Sequence, residues 1–518
     1  MSPFLNGDRS PSPEESTKFG PDIKVAVIGA GVSGICAAAY LLKEGADVTV
    51  FERSGVTSGV WHYDPRAATT DYPSEKPSAG DYVTSLPGQF SSSRTISKTK
   101  TESTAHPLET KNRNDLDVAF SPPAPLISVF ETTSLQGTED ITGHETIQSY
   151  LQGLSKEFGV DDATVFHTRV EDVKKSDDES YWNIRTITLL KGEGEPRIIE
   201  RNWKFDAVVV ATGHYNLPRI PDTPGLAEWK AHFGDDVIHT KQYRRPEQFR
   251  GKTVLVVGGG ASAYDVCRET SETAKRVIQS TRGGDFDLPP SMFPGSVEHV
   301  GEIDRFVLEK GPNTGGVKSR VLLSDGKVLD DVNAVVLATG YLTSYPFLAQ
   351  YHRDDVSANN ATRDILITSE GNMVHNLHKD IFYTEDPSLS FIGVPYYTAT
   401  FSLFDFQAQV LARVLTGKTS LPDIQSLRQE YDERVASKGR GRKFHSLAGD
   451  GEEIEYVRDL LDWANSSLVD NEIEPLAGHS EEWLDTYNEQ REKRKLLRVA
   501  KGAEPEGLWA RPSDLEKA

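Results

Sequence analysis

Residues 24–34 read KVAVIGAGVSG, a short apolar strand that runs into three glycines, Gly29, Gly31 and Gly34. In this spacing the first glycine permits a tight turn and the second lets a pyrophosphate approach the backbone, while the third lets the next helix pack closely on the strand. The start of that helix offers free N–H groups and a partial positive charge to phosphates. The stretch therefore predicts the strand–loop–helix unit of a dinucleotide-binding α/β domain.

The same design occurs again about 230 residues later, where residues 253–263 read TVLVVGGGASA. Gly258 and Gly260 repeat the first two glycines, Ala263 stands at the third position, and Ser262 lies at the predicted helix start. A lone glycine pattern is weak evidence, but each of these follows an apolar strand and precedes a helical pattern. The sequence therefore predicts two dinucleotide sites in one chain.

The two units differ in charge after their second strand. Glu52 stands 18 residues after Gly34, where a carboxylate can accept bonds from ribose hydroxyls, so this site suits FAD as well as NAD. At the matching place in the second unit stand Ser280, Thr281 and Arg282, with no acid in this run. Two hydroxyls and a guanidinium suit a 2′-phosphate and favour NADPH, although Arg282 could also be an ordinary surface arginine.

The order of the motifs predicts the domain organisation. Each glycine loop is followed by a strand that ends in Ala-Thr-Gly, at residues 211–213 and 338–340. We interpret the chain as an FAD-binding Rossmann-like domain with an NADPH-binding Rossmann-like domain inserted in it. The predicted boundaries are a disordered leader at 1–21, the FAD domain at 22–220 and 331–420 with an irregular Ser/Thr-rich insertion at 64–125, the NADPH domain at 221–330, and a charged helical region without chemistry at 421–518.

Composition excludes several classes of protein. The 518 residues carry a net charge of −21, which argues against a nucleic-acid partner. No apolar run is long enough to span a bilayer, and the first residues lack a secretory signal, so we expect a cytoplasmic protein. The two cysteines, Cys36 and Cys267, do not form a Cys-x-x-Cys pair, and no histidines have metal-ligand spacing, so we predict no dithiol chemistry and no metal. The sequence does not predict an oligomeric state.

Taken together, residues 22–420 resemble the flavin-containing monooxygenases, a branch of the class B flavoprotein monooxygenases. The family fingerprint, Phe-x-Gly-x-x-x-His-x-x-x-Tyr/Phe, falls on Phe233, Asp235, His239 and Tyr243, so the glycine has become an acid with Gly234 one place earlier. The sister Baeyer–Villiger enzymes carry Trp where Tyr243 stands. Further matches are ATGHYN at 211–216 and FSLFDFQA at 401–408.

The resemblance also implies residues around the flavin. The family's Gly-Gly-x-Trp turn is Ser58, Gly59, Val60 and Trp61 here, so its first glycine is lost. A family motif whose asparagine lies near the reactive face of the flavin aligns with residues 125–133. Thr132 then takes the place of the motif's threonine and Thr133 that of the asparagine, which makes Thr133 the candidate catalytic residue.

The function implied by the resemblance is monooxygenation. NADPH would reduce FAD, O2 would give a C4a-hydroperoxyflavin, and one oxygen atom would pass to a nitrogen or sulfur of a small organic molecule. Two alternatives stay open, namely Baeyer–Villiger oxidation of a ketone and an uncoupled NADPH oxidase. The substrate itself follows no sequence code, although the long insertion suits an enzyme of specialised metabolism.

Overall fold

A computed structural model describes residues 19–62, 98–100, 144–190, 197–284, 286–310, 317–398 and 400–500. Strands are numbered β1 to β23 and helices α1 to α8 along the chain. The helices are α1 (Val32–Lys43), α2 (His144–Glu157), α3 (Leu226–Phe233), α4 (Ala261–Thr270), α5 (Thr400–Leu415), α6 (Ile424–Lys438), α7 (Glu452–Ser466) and α8 (Glu481–Ala500). Short 3-10 turns lie at Gly59–Trp61, Gly234–Asp236, Thr240–Gln242, Pro246–Phe249, Pro290–Met292, Pro346–Tyr351 and Ala358–Asn360.

A seven-stranded sheet carries the first glycine loop. Its strand order is β21 (Leu377–His378), β22 (Phe382–Tyr383), β23 (Leu389–Phe391), β8 (Ala207–Val210), β1 (Lys24–Ile28), β2 (Asp47–Phe51) and β4 (Thr164–Val165). From β23 to β4 neighbouring strands run parallel, with Ile28 opposite both Phe51 and Val210. The carboxyl ends of β1, β2 and β8 therefore meet at the loop.

Both faces of this sheet are covered. Val25 and Val27 face a core formed with α1, α2 and α5. Ala26 and Ile28 face a second core, which includes Trp182. That residue belongs to a sheet with the order β3 (Lys98–Lys100), β7 (Arg197–Phe205), β6 (Trp182–Leu190) and β5 (Thr168–Lys175). The alternation along β1 thus produces three layers, because successive strand residues point to opposite faces.

A five-stranded parallel sheet carries the second glycine loop. Its order is β10 (Val237–His239), β17 (Ala334–Leu337), β11 (Thr253–Val257), β12 (Arg276–Ser280) and β13 (Val297–Val300). Helix α4 packs on one face around Val254 and Val256. On the other face, Leu255 contacts a core shared with α3 and an antiparallel sheet, β14 (Ile303–Lys310), β15 (Val317–Leu323) and β16 (Val328–Asp330).

The position of β17 corrects the predicted domain boundary. We expected the chain to return to the FAD domain at residue 331, but Val257 pairs with Leu337, so β17 belongs to the second sheet. The two Ala-Thr-Gly strands therefore lie in different sheets, each beside its own glycine loop. The chain crosses between the units through two short antiparallel strands, β9 (Leu217–Pro218) and β18 (Tyr341–Leu342), and a further pair, β19 (His352–Arg353) with β20 (Ile367–Thr368), precedes β21.

The remaining predictions about organisation fall partly outside the described residues. Only residues 19–21 of the predicted leader and 98–100 of the predicted insertion are described, and the latter form β3, parallel to β7. The C-terminal region is helical where it is described, in α6 to α8. No described helix is long and apolar enough to cross a membrane.

Candidate functional site

The first glycine loop is tightly built against the neighbouring strand end. A Cβ added to Gly29 (φ +103°) would lie 2.6 Å from the carbonyl oxygen of Ala211, and one added to Gly34 would lie 1.9 Å from the carbonyl oxygen of Gly29. Helix α1 begins after Gly31, and no side chain caps it. Its first-turn N–H groups are therefore available to a phosphate.

Glu52 is a fixed, buried acid beside this loop. One carboxylate oxygen accepts a hydrogen bond from the backbone N–H of Ala30 at 2.8 Å, and the other accepts from the backbone N–H of Ser54 at 2.7 Å. Each oxygen keeps capacity for a second bond. The side chain is therefore oriented before any ligand binds, as a ribose-binding acid requires.

The turn after β2 folds back over the loop. A Cβ on Gly59 would lie 2.8 Å from the Cα of Gly31, so the turn and the loop touch backbone to backbone. Ser58 has φ 100°, a conformation that favours glycine, and this is where the family's lost glycine stands. Val60 is 76% exposed, whereas the Trp61 ring lies 6.1 Å from that of Phe401 at the start of α5.

Several buried polar atoms near this loop have no hydrogen-bond partner among the described residues. They are the Ser58 hydroxyl, Nδ1 of His62, Nε2 of His214 and the Tyr396 hydroxyl. His214 follows β8 and hydrogen-bonds the backbone of Gly393. Buried polar atoms are normally satisfied. Such a set fits a large ligand with many polar groups, such as FAD.

The second loop repeats the backbone geometry of the first. A Cβ on Gly258 (φ +134°) would lie 2.3 Å from the carbonyl oxygen of Ala338, the counterpart of Ala211. Helix α4 begins after Gly260 without a side-chain cap, and Ser262 is exposed in its first turn. A Cβ on Gly260 would meet nothing within 4 Å. This open side of the loop fits a pyrophosphate.

The end of β12 differs from the expectation. The Ser280 hydroxyl is buried and donates to the carbonyl oxygen of Gly301 at 2.8 Å, so it points away from the loop. The Thr281 hydroxyl donates to the carboxylate of Asp287, which also accepts from the backbone N–H of Gly284 at 2.8 Å. Arg282 is exposed. The sequence showed no acid at residues 280–282, but folding brings Asp287 there, and no local signal identifies it.

The family fingerprint lies where the two units join. His239, at the end of β10, bonds through Nε2 to the carbonyl oxygen of Gly340 at 2.9 Å, and its Nδ1 accepts from the backbone N–H of Lys241 at 3.1 Å. Burial lowers the pKa of His239 to about 4, so the ring is neutral at physiological pH. Gly234 ends α3 with φ 53°, so a glycine turn forms one residue before Asp235. Tyr243 donates to Glu269 at 2.8 Å.

An aromatic and cationic cluster, Phe286, Tyr396, Tyr397 and Arg442, connects the two units. The rings of Phe286 and Tyr397 stack with centroids 5.2 Å apart, and the Arg442 guanidinium lies 4.7 Å from the Phe286 centroid. Arg442 comes from the C-terminal region, to which we assigned no chemistry. Scattered aromatics and one arginine among many give no sequence signal.

Two predicted residues, Thr132 and Thr133, lie outside the described residues. In the described part of the chain, no three or more His, Cys, Asp or Glu residues are grouped so that they could hold a metal ion.

Comparisons with known proteins agree with this geometry. The family model for flavin-binding monooxygenase-like proteins matches residues 138–300 and 303–469, and that for FAD-dependent oxidoreductases matches residues 24–75. The chain belongs to the flavin-binding monooxygenase-like family. It is 38% identical to the flavin-containing monooxygenase ustF2 of Aspergillus flavus, over 91% of this chain and 97% of the relative. A second A. flavus relative, ustF1, is 31% identical over 90% of this chain and 88% of its own length.

A solved structure shares the fold. The S-allyl-L-cysteine S-oxygenase of Allium sativum matches with a TM-score of 0.59 and 24% identity, over 92% of this chain and 93% of that protein. As a member of this family, the chain is an oxidoreductase with flavin monooxygenase activity, and its cofactors are FAD and NADPH. The family implies a small-molecule substrate and O2 as reactants.

Proposed function

We propose that this flavin-binding monooxygenase-like protein transfers one oxygen atom to a nitrogen or sulfur of a small organic molecule. The observation that carries the proposal is the neutral character of the rings between the two loops. Burial lowers the pKa of His214 to about 4 and raises the pKa of Tyr396. A sulfide or a free amine supplies its own electron pair, so such a site needs no protein base.

We assign the first loop to FAD and the second to NADPH. Gly29, Gly31 and Gly34 would hold the pyrophosphate of FAD, Glu52 its ribose, and Val60 and Trp61 the turn beside it. Gly258, Gly260 and Ser262 would hold the pyrophosphate of NADPH. Arg282 would contact its 2′-phosphate, and Thr281 would join it once its hydroxyl turns away from Asp287. The Ser280 hydroxyl bonds Gly301, so Ser280 contributes through its backbone.

The chemistry itself belongs to the cofactors, since bound FAD activates O2 and NADPH supplies the reducing equivalents. The protein's residues contribute position and exclusion of water. His239 holds the carbonyl of Gly340 and the backbone of Lys241 at the junction of the two units. Because its ring is neutral, it carries out this role without bringing a charge to the junction.

The proposal is tested by supplying a tertiary amine, a thioether and a cyclic ketone, and measuring NADPH oxidation, oxygenated product and H2O2 together. We expect N-oxide or sulfoxide in near-stoichiometric yield with at least one soft nucleophile. Lactone as the main product would replace the proposal by Baeyer–Villiger oxidation. H2O2 equal to the NADPH consumed with every compound would make the protein an uncoupled oxidase.

A further inference from the structure

Arg442 extends from the C-terminal region into the second dinucleotide unit. It lies in the loop between α6 and α7, yet its guanidinium carbon is 4.7 Å from the ring centroid of Phe286, a residue of the segment that follows β12. The neighbour of that ring, Asp287, accepts a hydrogen bond from the Thr281 hydroxyl. Arg442 therefore lies beside the segment that follows β12 and that also carries Asp287.

The guanidinium of Arg442 has no carboxylate partner among the described residues. Three other arginines of this region are paired with acids, Arg428 with Glu385, Arg434 with Asp380 and Arg491 with Asp450. Arg440 donates to the backbone carbonyls of Ala358 and Ala361. The Arg442 guanidinium lies instead close to the two tyrosines of its cluster, whose pKa values it lowers against the larger effect of burial. In a chain with a net charge of −21, an exposed arginine without an acid beside the second dinucleotide unit is available to an anionic ligand.

Asp287 makes one arginine insufficient for a 2′-phosphate. A phosphate monoester carries a charge of about −1.5 to −2 at pH 7. The carboxylate of Asp287, held beside Thr281, offsets the single positive charge of Arg282. A dianion is favoured at this place only if further positive charge is near.

Further positive charge is supplied by arginines from other parts of the chain. Burial, and then the like charges of Arg442 and Arg282, lower the pKa of Arg219. Arg219 lies at the crossing between the units, where it donates to the carbonyl oxygen of Glu370 at 3.1 Å. Both other arginines are therefore close enough to Arg219 to interact with it electrostatically.

We propose that Arg442 is a specificity-determining residue for NADPH, which binds the 2′-phosphate together with Arg282. The inference rests on the proposed assignment of the second loop to NADPH. It gives the C-terminal region a direct part in cofactor recognition. Because Arg282 and Arg442 come from different parts of the fold, a phosphate shared between them would also connect those parts.

The test measures binding rather than turnover. NADP+, NAD+, 2′,5′-ADP and 5′-AMP are titrated calorimetrically into the FAD-loaded full-length protein, into Arg442→Gln and Arg442→Lys, and into a control, Arg458→Gln. Arg458 is an exposed arginine of α7, 3.8 Å from Asp459. The flavin spectrum and the melting temperature of each variant verify that it is folded.

We expect Arg442→Gln to weaken NADP+ and 2′,5′-ADP about tenfold or more, as for a lost charge-assisted hydrogen bond, and to leave NAD+ and 5′-AMP unchanged. Arg442→Lys should lose less affinity for NADP+ and 2′,5′-ADP, and Arg458→Gln should bind all four ligands as the unaltered protein does. Equal weakening of all four ligands would mean that Arg442 only supports Phe286, and unchanged binding would mean that it serves another anion; either result overturns the inference. Failure of the unaltered protein to bind 2′,5′-ADP would instead overturn the assignment of the second loop.

Discussion

At the scale of single residues, Ser58 shows how a departure from the family pattern is accommodated. A serine holds φ 100°, a conformation suited to glycine, and its hydroxyl is buried without a partner in the described part of the chain. Its backbone N–H still donates to the carbonyl oxygen of Ala30 at 2.9 Å, so the turn is kept. The positive φ of Ser58 therefore costs conformational energy, but it keeps the turn against the first glycine loop.

We expect Ser58→Gly to stabilise the protein by about 1 kcal/mol, because relief of strain of about 1–3 kcal/mol exceeds the added entropy of glycine in the unfolded chain. Urea unfolding of the FAD-loaded protein measures this change. Ser58→Ala is the matched control, since it removes the hydroxyl but keeps the strained φ. If both variants gain equally, the buried hydroxyl and not the backbone is the cause.

At the scale of elements, the two strand–loop–helix units could be predicted almost completely from sequence. Gly29, Gly34, Gly258 and the spacing to Glu52 are local patterns, and local geometry follows from them. The membership of β17 could not be predicted, because both Ala-Thr-Gly strands have the same sequence pattern and only pairing with a distant strand separates them. Asp287 was missed for the same reason, since a chain reversal after β12 brings it beside Thr281.

The close packing of helix α1 on the first glycine loop leads to a prediction about Gly34. The second loop tolerates Ala263 at its third position, fully buried, but a Cβ on Gly34 would lie 1.9 Å from a backbone oxygen. We therefore expect Gly34→Ala to abolish FAD retention, as measured by the flavin absorbance of the purified protein. A Cβ on Gly153 in α2 meets nothing within 4 Å, so Gly153→Ala should retain FAD and gain about 0.5–1 kcal/mol.

A glycine substitution in the second loop distinguishes the FAD site from the NADPH site. Gly258→Ala should retain FAD and lose binding of NADP+, because its Cβ would lie 2.3 Å from the Ala338 carbonyl oxygen of the same unit. Loss of FAD from Gly258→Ala with retention in Gly34→Ala would reverse the assignment of the loops.

At the scale of the whole molecule, a buried charge network attaches the C-terminal region to the first sheet. Asp380, in the turn between β21 and β22, accepts two hydrogen bonds from Arg434 of α6, at 2.7 and 2.8 Å. Nδ1 of His445 lies 2.7 Å from the same carboxylate. The adjoining carbonyl of Lys379 accepts from the Tyr456 hydroxyl of α7 at 2.6 Å. Two helices and a loop thus hold one hairpin, so we expect the region to unfold together with the sheet.

Asp380 also gives this attachment a pH dependence. Burial alone would raise the pKa of Asp380, but the charges of Arg434 and His445 lower it well below the ordinary value of 3.8. A carboxylate with a depressed folded pKa stabilises the fold above its unfolded pKa, and this stability is lost as the pH falls below that value. The attachment should therefore be at full strength at neutral pH and weaken below about pH 4.

We expect Asp380→Asn to cost about 3–5 kcal/mol at pH 7, because it leaves the Arg434 charge buried without its partner. Urea unfolding at neutral pH measures this cost, and Asp432→Asn, an exposed acid on α6, should change nothing. Below pH 4 the free energy of unfolding of the unaltered protein should approach that of the variant, since protonation of Asp380 removes the same charge. A cost that stays constant down to pH 3 would show that hydrogen-bond geometry, not charge, holds the hairpin.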